Sequence, residues 1–377
     1  MKVAQKTIKF LLIAVIALFS TTSFASESDK KHDNQNDGGR INTKEEVEAY
    51  ILHHIKDSHD FSLFSYTSDE GKRKHIGFPL PVILWSSEGL VTFMSSEFHH
   101  NDDGHVIVEK KGLKFAKIHS KIYELDKGAA NLSFDETHHA TNAHKTLDFS
   151  ITKSVVGILL IGTLLLFWFS RLAKQYKTKQ IPTGFARVLE PLVLYVRDEI
   201  ARPNIGEKHY RRFTGYLLTV FFFIWVLNLA GLTPLGFNVT GQLAVTGCLA
   251  IFTLVIYTAS GNKDYWMHML WMPGVPALIR PVLAIIELAG ALIIKPFSLL
   301  VRLFANISAG HIVVMSLIAI MFTLKESLGV VGATGLSLVL SFFITLIEVL
   351  VAFLQAYIFT MLSALFIGMA VAEPEHH

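Results

Sequence analysis

The sequence predicts an all-α polytopic membrane protein of about five membrane helices, the last two long and strongly tilted as a hairpin, preceded by a small exported α+β domain. Three observations carry this expectation. Hydrophobic residues make up 51% of the chain and the mean hydropathy is +0.43, yet 17% of residues are charged, too many for a chain embedded in lipid throughout. The apolar residues are accordingly concentrated, with a polar, His-rich stretch up to about Asp148 and an almost continuously apolar one from Val155 onward. Two of the apolar tracts, Pro276 to Thr323 and Gly329 to Ala372, far exceed the roughly 20 residues that one crossing needs.

Residues 1–25 read as a secretory signal. Lys2, Lys6 and Lys9 form a basic start, Phe10 to Phe19 an apolar core too short to span, and Ser23-Phe24-Ala25 a small-x-small cleavage site. A short uncleaved anchor is the alternative, and either places residues 26–150 outside the cytoplasm. That region opens on a low-complexity linker, Ser26 to Arg40. Thr43-Lys44-Glu45-Glu46 resembles a capping box opening a helix with Val47, Tyr50, Ile51 and Ile55 at helical spacing. From Ile76 to Tyr123 short apolar runs, Pro81 to Trp85, Gly89 to Phe93 and His105 to Val108, alternate with turn formers and predict a small β-rich module. Twelve of the 17 histidines fall within residues 26–148, among them the pairs His99-His100 and His138-His139. Imidazole suits Zn, Cu or Ni, but the nearby carboxylates follow no metal-site spacing, so solvated loops are the preferred reading and no metal or cofactor is expected. Cys248 stands alone, which excludes an internal disulfide.

Residues 151–377 form the membrane domain. Single crossings are predicted from Ser154 to Ser170, Phe213 to Leu232 and Leu243 to Ser260. The segment between the first two is rich in Arg and Lys and is placed in the cytoplasm by the positive-inside rule; within it Phe185, Val188, Leu189, Leu192, Tyr195 and Val196 recur as one apolar helical face. Five crossings from an outside start leave the C-terminus inside, in a cell inner membrane. A net charge of +3 gives no reason to expect nucleic acid as a partner. Each long C-terminal tract, at 1.5 Å per residue, overshoots a hydrocarbon core of about 30 Å and must tilt, bend or re-enter.

Polar groups within those tracts are the functional candidates. The first holds Arg280, Glu287, Lys295, Arg302, Asn306 and His311, the second Glu348 and Gln355. A guanidinium at mid-bilayer costs roughly 2.5 to 3.5 kcal/mol on insertion scales, so Arg302 is not expected without a task. Arg302 and Asn306, one turn apart, share a helical face, as do Glu348 and Gln355, two turns apart. Histidine and carboxylate side chains in a bilayer are the usual parts of a proton path. A buried Arg–Glu pair that only ties two helices together is the structural alternative.

The run from Lys295 through Arg302, Asn306 and His311, with Leu346-Ile347-Glu348 to Gln355-Ala356-Tyr357 and Asn228-Leu229-Ala230-Gly231-Leu232-Thr233-Pro234, resembles the signature of subunit a of F-type ATP synthases over about Ser154 to Ala372. The resemblance implies that Arg302 is the essential charge facing a rotating c-ring, with Asn306 and Gln355 close by. It implies that His311 and Glu348 line a half-channel open to the outside, and that Glu287 and Lys295 lie near the cytoplasmic one. Glu287 precedes Arg302 by fifteen residues where the family leads one to expect fourteen. Implied partners are the c-subunit ring, b-type peripheral stalk subunits, the remainder of the ATP synthase and the lipid bilayer. The chain has no nucleotide-binding Gly-rich loop, in keeping with a non-catalytic subunit. Rival readings from the residues are a self-contained secondary transporter, which usually carries an internal repeat, and a receptor or anchor whose exported histidines bind metal.

Overall fold

The computed structural model describes residues 57–67, 73–99, 101–118, 120–126, 128–129, 132–133, 141–178, 183–233, 238–271, 276 and 279–372. The signal segment, the linker, the Thr43 helix, His100, His138 and His139 lie outside the described residues.

Among the described residues, nine strands build the N-terminal sheet module. β1 (Asp60–Thr67) pairs with β2 (Arg73–Pro79); β3 (Pro81–Ser86) lies between β4 (Gly89–Met94) and β9 (Leu147–Asp148); and β5 (Asp103–Lys110), β6 (Leu113–Ile118), β7 (Lys121–Leu125) and β8 (Ala143–Lys145) form a four-stranded meander. Every pairing is antiparallel. Val82 and Leu84 alternate inward on β3 and meet Val91, Phe93, Phe98 and Phe115 in one apolar core. The module starts at Asp60, not Ile76. A register shift between Ser62 and Phe64 breaks the period-two pattern of β1, which is why alternation does not reveal that strand.

This module runs into the membrane domain without a break in hydrogen bonding. Phe149 N–H donates to Ile83 O, Ile151 N–H to Pro81 O and Lys153 N–H to Ser58 O, while the Asp57 carboxylate accepts from Ser154 N–H at the start of α1 (Lys153–Thr178). Next come α2 (Ala186–Tyr195), a π-helical segment (Val196–Ala201), α3 (Arg202–Ile205), α4 (Tyr210–Gly231), α5 (Leu243–Ser260), α6 (Lys263–Leu270), α7 (Arg280–Ala289), a π turn (Gly290–Ile294) and α8 (Lys295–Val371). Among the described residues, five helical stretches are long and apolar enough to cross a membrane: 153–177, 210–231, 243–260, 280–310 and 331–371. The chain is thus a multi-pass membrane protein with a small sheet module at its N-terminal side.

The helix α8 is two arms joined at Gly329, whose φ of 68° and ψ of 168° leave the helical region. Glycine is the residue that adopts that backbone without a Cβ penalty. The arms are antiparallel: Gln355 Nε2 donates to Arg302 O at 2.6 Å and Ser337 Oγ to Leu317 O at 2.9 Å, and both pairs centre close to Gly329. The stretch 331–371, 41 residues, extends roughly 60 Å as a helix, about twice the hydrocarbon core. Its C-terminal end is anchored by Asn262, whose N–H and Nδ2 donate to the otherwise orphan carbonyls of Ala370 and Val371, each at 2.9 Å. Phe221 and Trp225 of α4 pack edge-on against Phe353.

Candidate functional site

The hairpin brings most of the polar candidates to one pair of facing arms. Gln355, only 2% exposed, reaches across to the Arg302 carbonyl and so locks the register at the arginine's level. The Arg302 side chain is exposed on the isolated chain, as is that of Asn306 one turn later. Among the described residues the guanidinium has no carboxylate partner within ion-pair distance.

Glu348 does not pair with Arg302. Its carboxylate lies against Gly310, where a Cβ would stand 2.7 Å from Oε1. Gly310 is about 12 Å along the axis from Arg302, so a direct ion pair is out of reach and the packing-only alternative loses its geometry. His311 follows Gly310 on the helical backbone; its side chain lies outside what the structure describes. The carboxylate therefore sits beside the backbone neighbour of His311, consistent with two groups that share a locality.

Glu287 lies on α7 and Lys295 at the start of α8; α7, the π turn and the opening of α8 form one helical stretch, 280–310, that extends the first arm backward. Lys295 Nζ lies 5.4 Å from the centroid of Phe366 on the second arm, and the Glu287 carboxylate interacts electrostatically with both Lys295 and Tyr265. Between Glu287 and Arg302 lies the π turn, Gly290–Ile294. Such a turn accommodates one extra residue within a helix, which accounts physically for a spacing of fifteen where fourteen is expected.

Three elements of this site are invisible to pattern reading: the π turn, the close approach of Glu348 to Gly310, and Tyr257, whose hydroxyl donates to Ala291 O inside the π turn. The available signals were a tyrosine in an otherwise apolar span and a glycine next to His311. Asn228, in the motif after the second span, is buried and accepts from Thr240 Oγ1 at 2.6 Å, fixing the loop that follows; Pro234 lies outside the described residues. In the sheet module His105 and His144 are exposed, and His144 contacts Asp126 at 3.1 Å. Among the described residues no three His, Cys, Asp or Glu side chains converge.

Comparison with known proteins adds the following. Residues 155–368 match the family described as ATP synthase A chain, and residues 50–149 match a domain of unknown function (DUF8433). "ATP synthase subunit a 2" of Chlorobaculum tepidum is 44% identical over 259 residues, covering 65% of this chain and 70% of that protein. "ATP synthase subunit a 2" of Prosthecochloris aestuarii is 43% identical over 268 residues, 67% of this chain and 78% of its own length. "ATP synthase subunit a" of Myxococcus xanthus is 44% identical over 237 residues, 61% and 76% respectively. The match spans more than half of the chain and contains Asn228, Glu287, Lys295, Arg302, Asn306, His311, Glu348 and Gln355: the chain belongs to the ATP synthase A chain family.

Proposed function

We propose that this chain is the proton-conducting stator of an F-type ATP synthase, forming two aqueous half-channels against a c-subunit ring and coupling proton translocation to rotation and ATP synthesis elsewhere in the complex. The observation that carries this reading is Arg302, an intramembrane cation without a described carboxylate partner on its own chain, standing on the outward face of the hairpin. A charge so placed calls for a carboxylate from outside the chain.

In this reading a proton enters from the outside past His311 and Glu348, with Asn306 and Gln355 close to the arginine, and neutralises a c-subunit carboxylate so that it can turn into lipid. Ionised, that carboxylate would be held back by desolvation. After nearly a full rotation it meets the second path near Glu287 and Lys295, and the Arg302 guanidinium favours the ionised form and hence release to the cytoplasm. The fixed charge also blocks a direct leak between the paths. One charge moving through 100 mV supplies about 2.3 kcal/mol, so several protons are needed per ATP. The subunit is itself non-catalytic, is held against the ring by b-type stalk subunits, and lies in the cell inner membrane. Its first 25 residues direct residues 26–150 outside, and its C-terminus lies in the cytoplasm.

The test is Arg302→Ala in inverted membrane vesicles. ATP-driven proton pumping is expected to vanish while the subunit still assembles; pumping at the parental rate in the assembled variant would sink the reading.

A further inference from the structure

We infer that a π turn, created by Pro296 and stabilised by the Tyr257 hydroxyl, aligns Glu287, Lys295 and Arg302 along one stripe of the first arm. The inference rests on the stator reading and deepens it, because it names what sets the direction in which the proposed cytoplasm-side carboxylate points.

An α-helix advances about 100° per residue. Lys295 and Arg302, seven residues apart, fall about 20° short of two full turns and share a face. Glu287 lies eight residues before Lys295, and on an uninterrupted α-helix it would be turned about 80° away. The π turn removes that difference. Lys295 N–H bonds to Gly290 O, five residues back, so one residue is absorbed without advancing the phase, and Glu287 comes to within about 20° of Lys295. The alignment puts the Glu287 carboxylate where its field reaches the Lys295 ammonium.

The sequence dictates where the turn forms. In a continuous α-helix Pro296 would offer no N–H to Leu292 O and its ring would press on that carbonyl; the wider turn relieves the contact. It does so at a cost, since the next i–5 donor, to Ala291 O, would again be residue 296, which has no N–H. Ala291 is 2% exposed, so water cannot serve the orphan carbonyl. Tyr257, 1% exposed on the neighbouring span α5, donates its hydroxyl to that oxygen. A buried carbonyl left without a donor is destabilised by an amount equivalent to at least about a fivefold change in population. Tyr257 is therefore a positioning residue: it acts on the proton path through the phase of the helix, by way of the Ala291 carbonyl.

The experiment is a cycle measured on the assembled synthase in inverted vesicles, with ATP-driven pumping and ATP hydrolysis followed together. Tyr257→Phe is expected to lower pumping at least about fivefold relative to hydrolysis. A straightened variant, Pro296→Ala with Ile293 deleted, keeps Glu287 in phase on a plain α-helix and has no orphan carbonyl. It is expected to pump within about twofold of the parent, and adding Tyr257→Phe to it to change nothing further. Equal losses from Tyr257→Phe in both backgrounds, or loss of pumping in an assembled straightened variant, would overturn the inference. If the straightened variant does not assemble, Tyr257→Phe alone decides, because parental pumping in that enzyme also overturns it. These outcomes are separate from the fate of the stator reading, which stands or falls with Arg302→Ala.

Discussion

Arg302 and Gly310 show what kinds of constraint one residue can announce. The arginine is legible because its chemistry is expensive in lipid and no packing role accounts for it. The glycine beside His311 is not, because its constraint is imposed by Glu348, 38 positions later, whose carboxylate occupies the space where a side chain would stand. A Cβ placed 2.7 Å from Oε1 forces the carboxylate aside. Gly310→Ala is accordingly expected to reduce proton pumping several-fold without loss of assembly, and Glu348→Asp, one methylene shorter, to restore part of it in the double variant. Additive losses in a pumping assay would show that the two positions do not share space. Gln355 makes a comparable cross-arm contact through the Arg302 carbonyl, and Gln355→Leu is expected to cost about 1 kcal/mol of stability at that level of the hairpin. Thermal unfolding of the detergent-solubilised complex measures that loss.

Strands and helices were readable where their periodicity is unbroken and hidden where it is interrupted. β3, β4 and α5 lie where alternation and hydropathy place them, whereas β1 is masked by its bulge and the π turn leaves no compositional mark. The sheet module also holds an ion cluster that no spacing reveals: Lys117 Nζ lies 3.2 Å from Asp60 and 3.9 Å from Asp102, and Asp60 accepts from Ser95 Oγ at 2.6 Å. All four come from different segments. Removing the cation leaves buried carboxylate charge, so Lys117→Met is expected to destabilise the module by roughly 3 to 5 kcal/mol, read as increased protease sensitivity of the intact chain. At the junction with α1, His59 Nε2 meets Asp148 at 2.7 Å. Burial works against ionisation of Asp148, but hydrogen bonds from His59 and Ser150 outweigh it and hold the carboxyl below its ordinary value of 3.8. A lowered value means that the stabilisation is complete above the unfolded pKa and disappears as pH falls through the folded one. Asp148→Asn should therefore make the junction more protease-sensitive near neutrality, and the difference from the parent should close as the pH falls well below 3.8. A difference unchanged by acid would exclude the carboxylate as its source.

Five crossings could be counted from hydropathy, and the last two are too long for one straight crossing, but neither observation says which surface stays uncovered. The packing does. The second span has 44% of its apolar window buried within the chain, and the last span only 11%. The hairpin thus keeps a broad outer face, with Phe297, Leu350 and Leu354 exposed and Arg302 exposed on the first arm. A channel complete in one chain would be expected to enclose its polar residues between helices and to pair an intramembrane cation internally. Here Arg302 has no described carboxylate partner, and Glu348 is held two turns away from it at Gly310. In the proposed stator reading the missing wall belongs to another subunit that brings its own carboxylate. The purified chain alone, reconstituted in liposomes with an imposed potential, should show no proton flux above protein-free vesicles. Flux should appear only when the ring and stalk subunits are reconstituted with it, and should require Arg302 for coupling to ATP hydrolysis. A steady, potential-driven proton current through the chain by itself would instead mean that both half-channels close within one polypeptide, and would restore the self-contained transporter as the better reading.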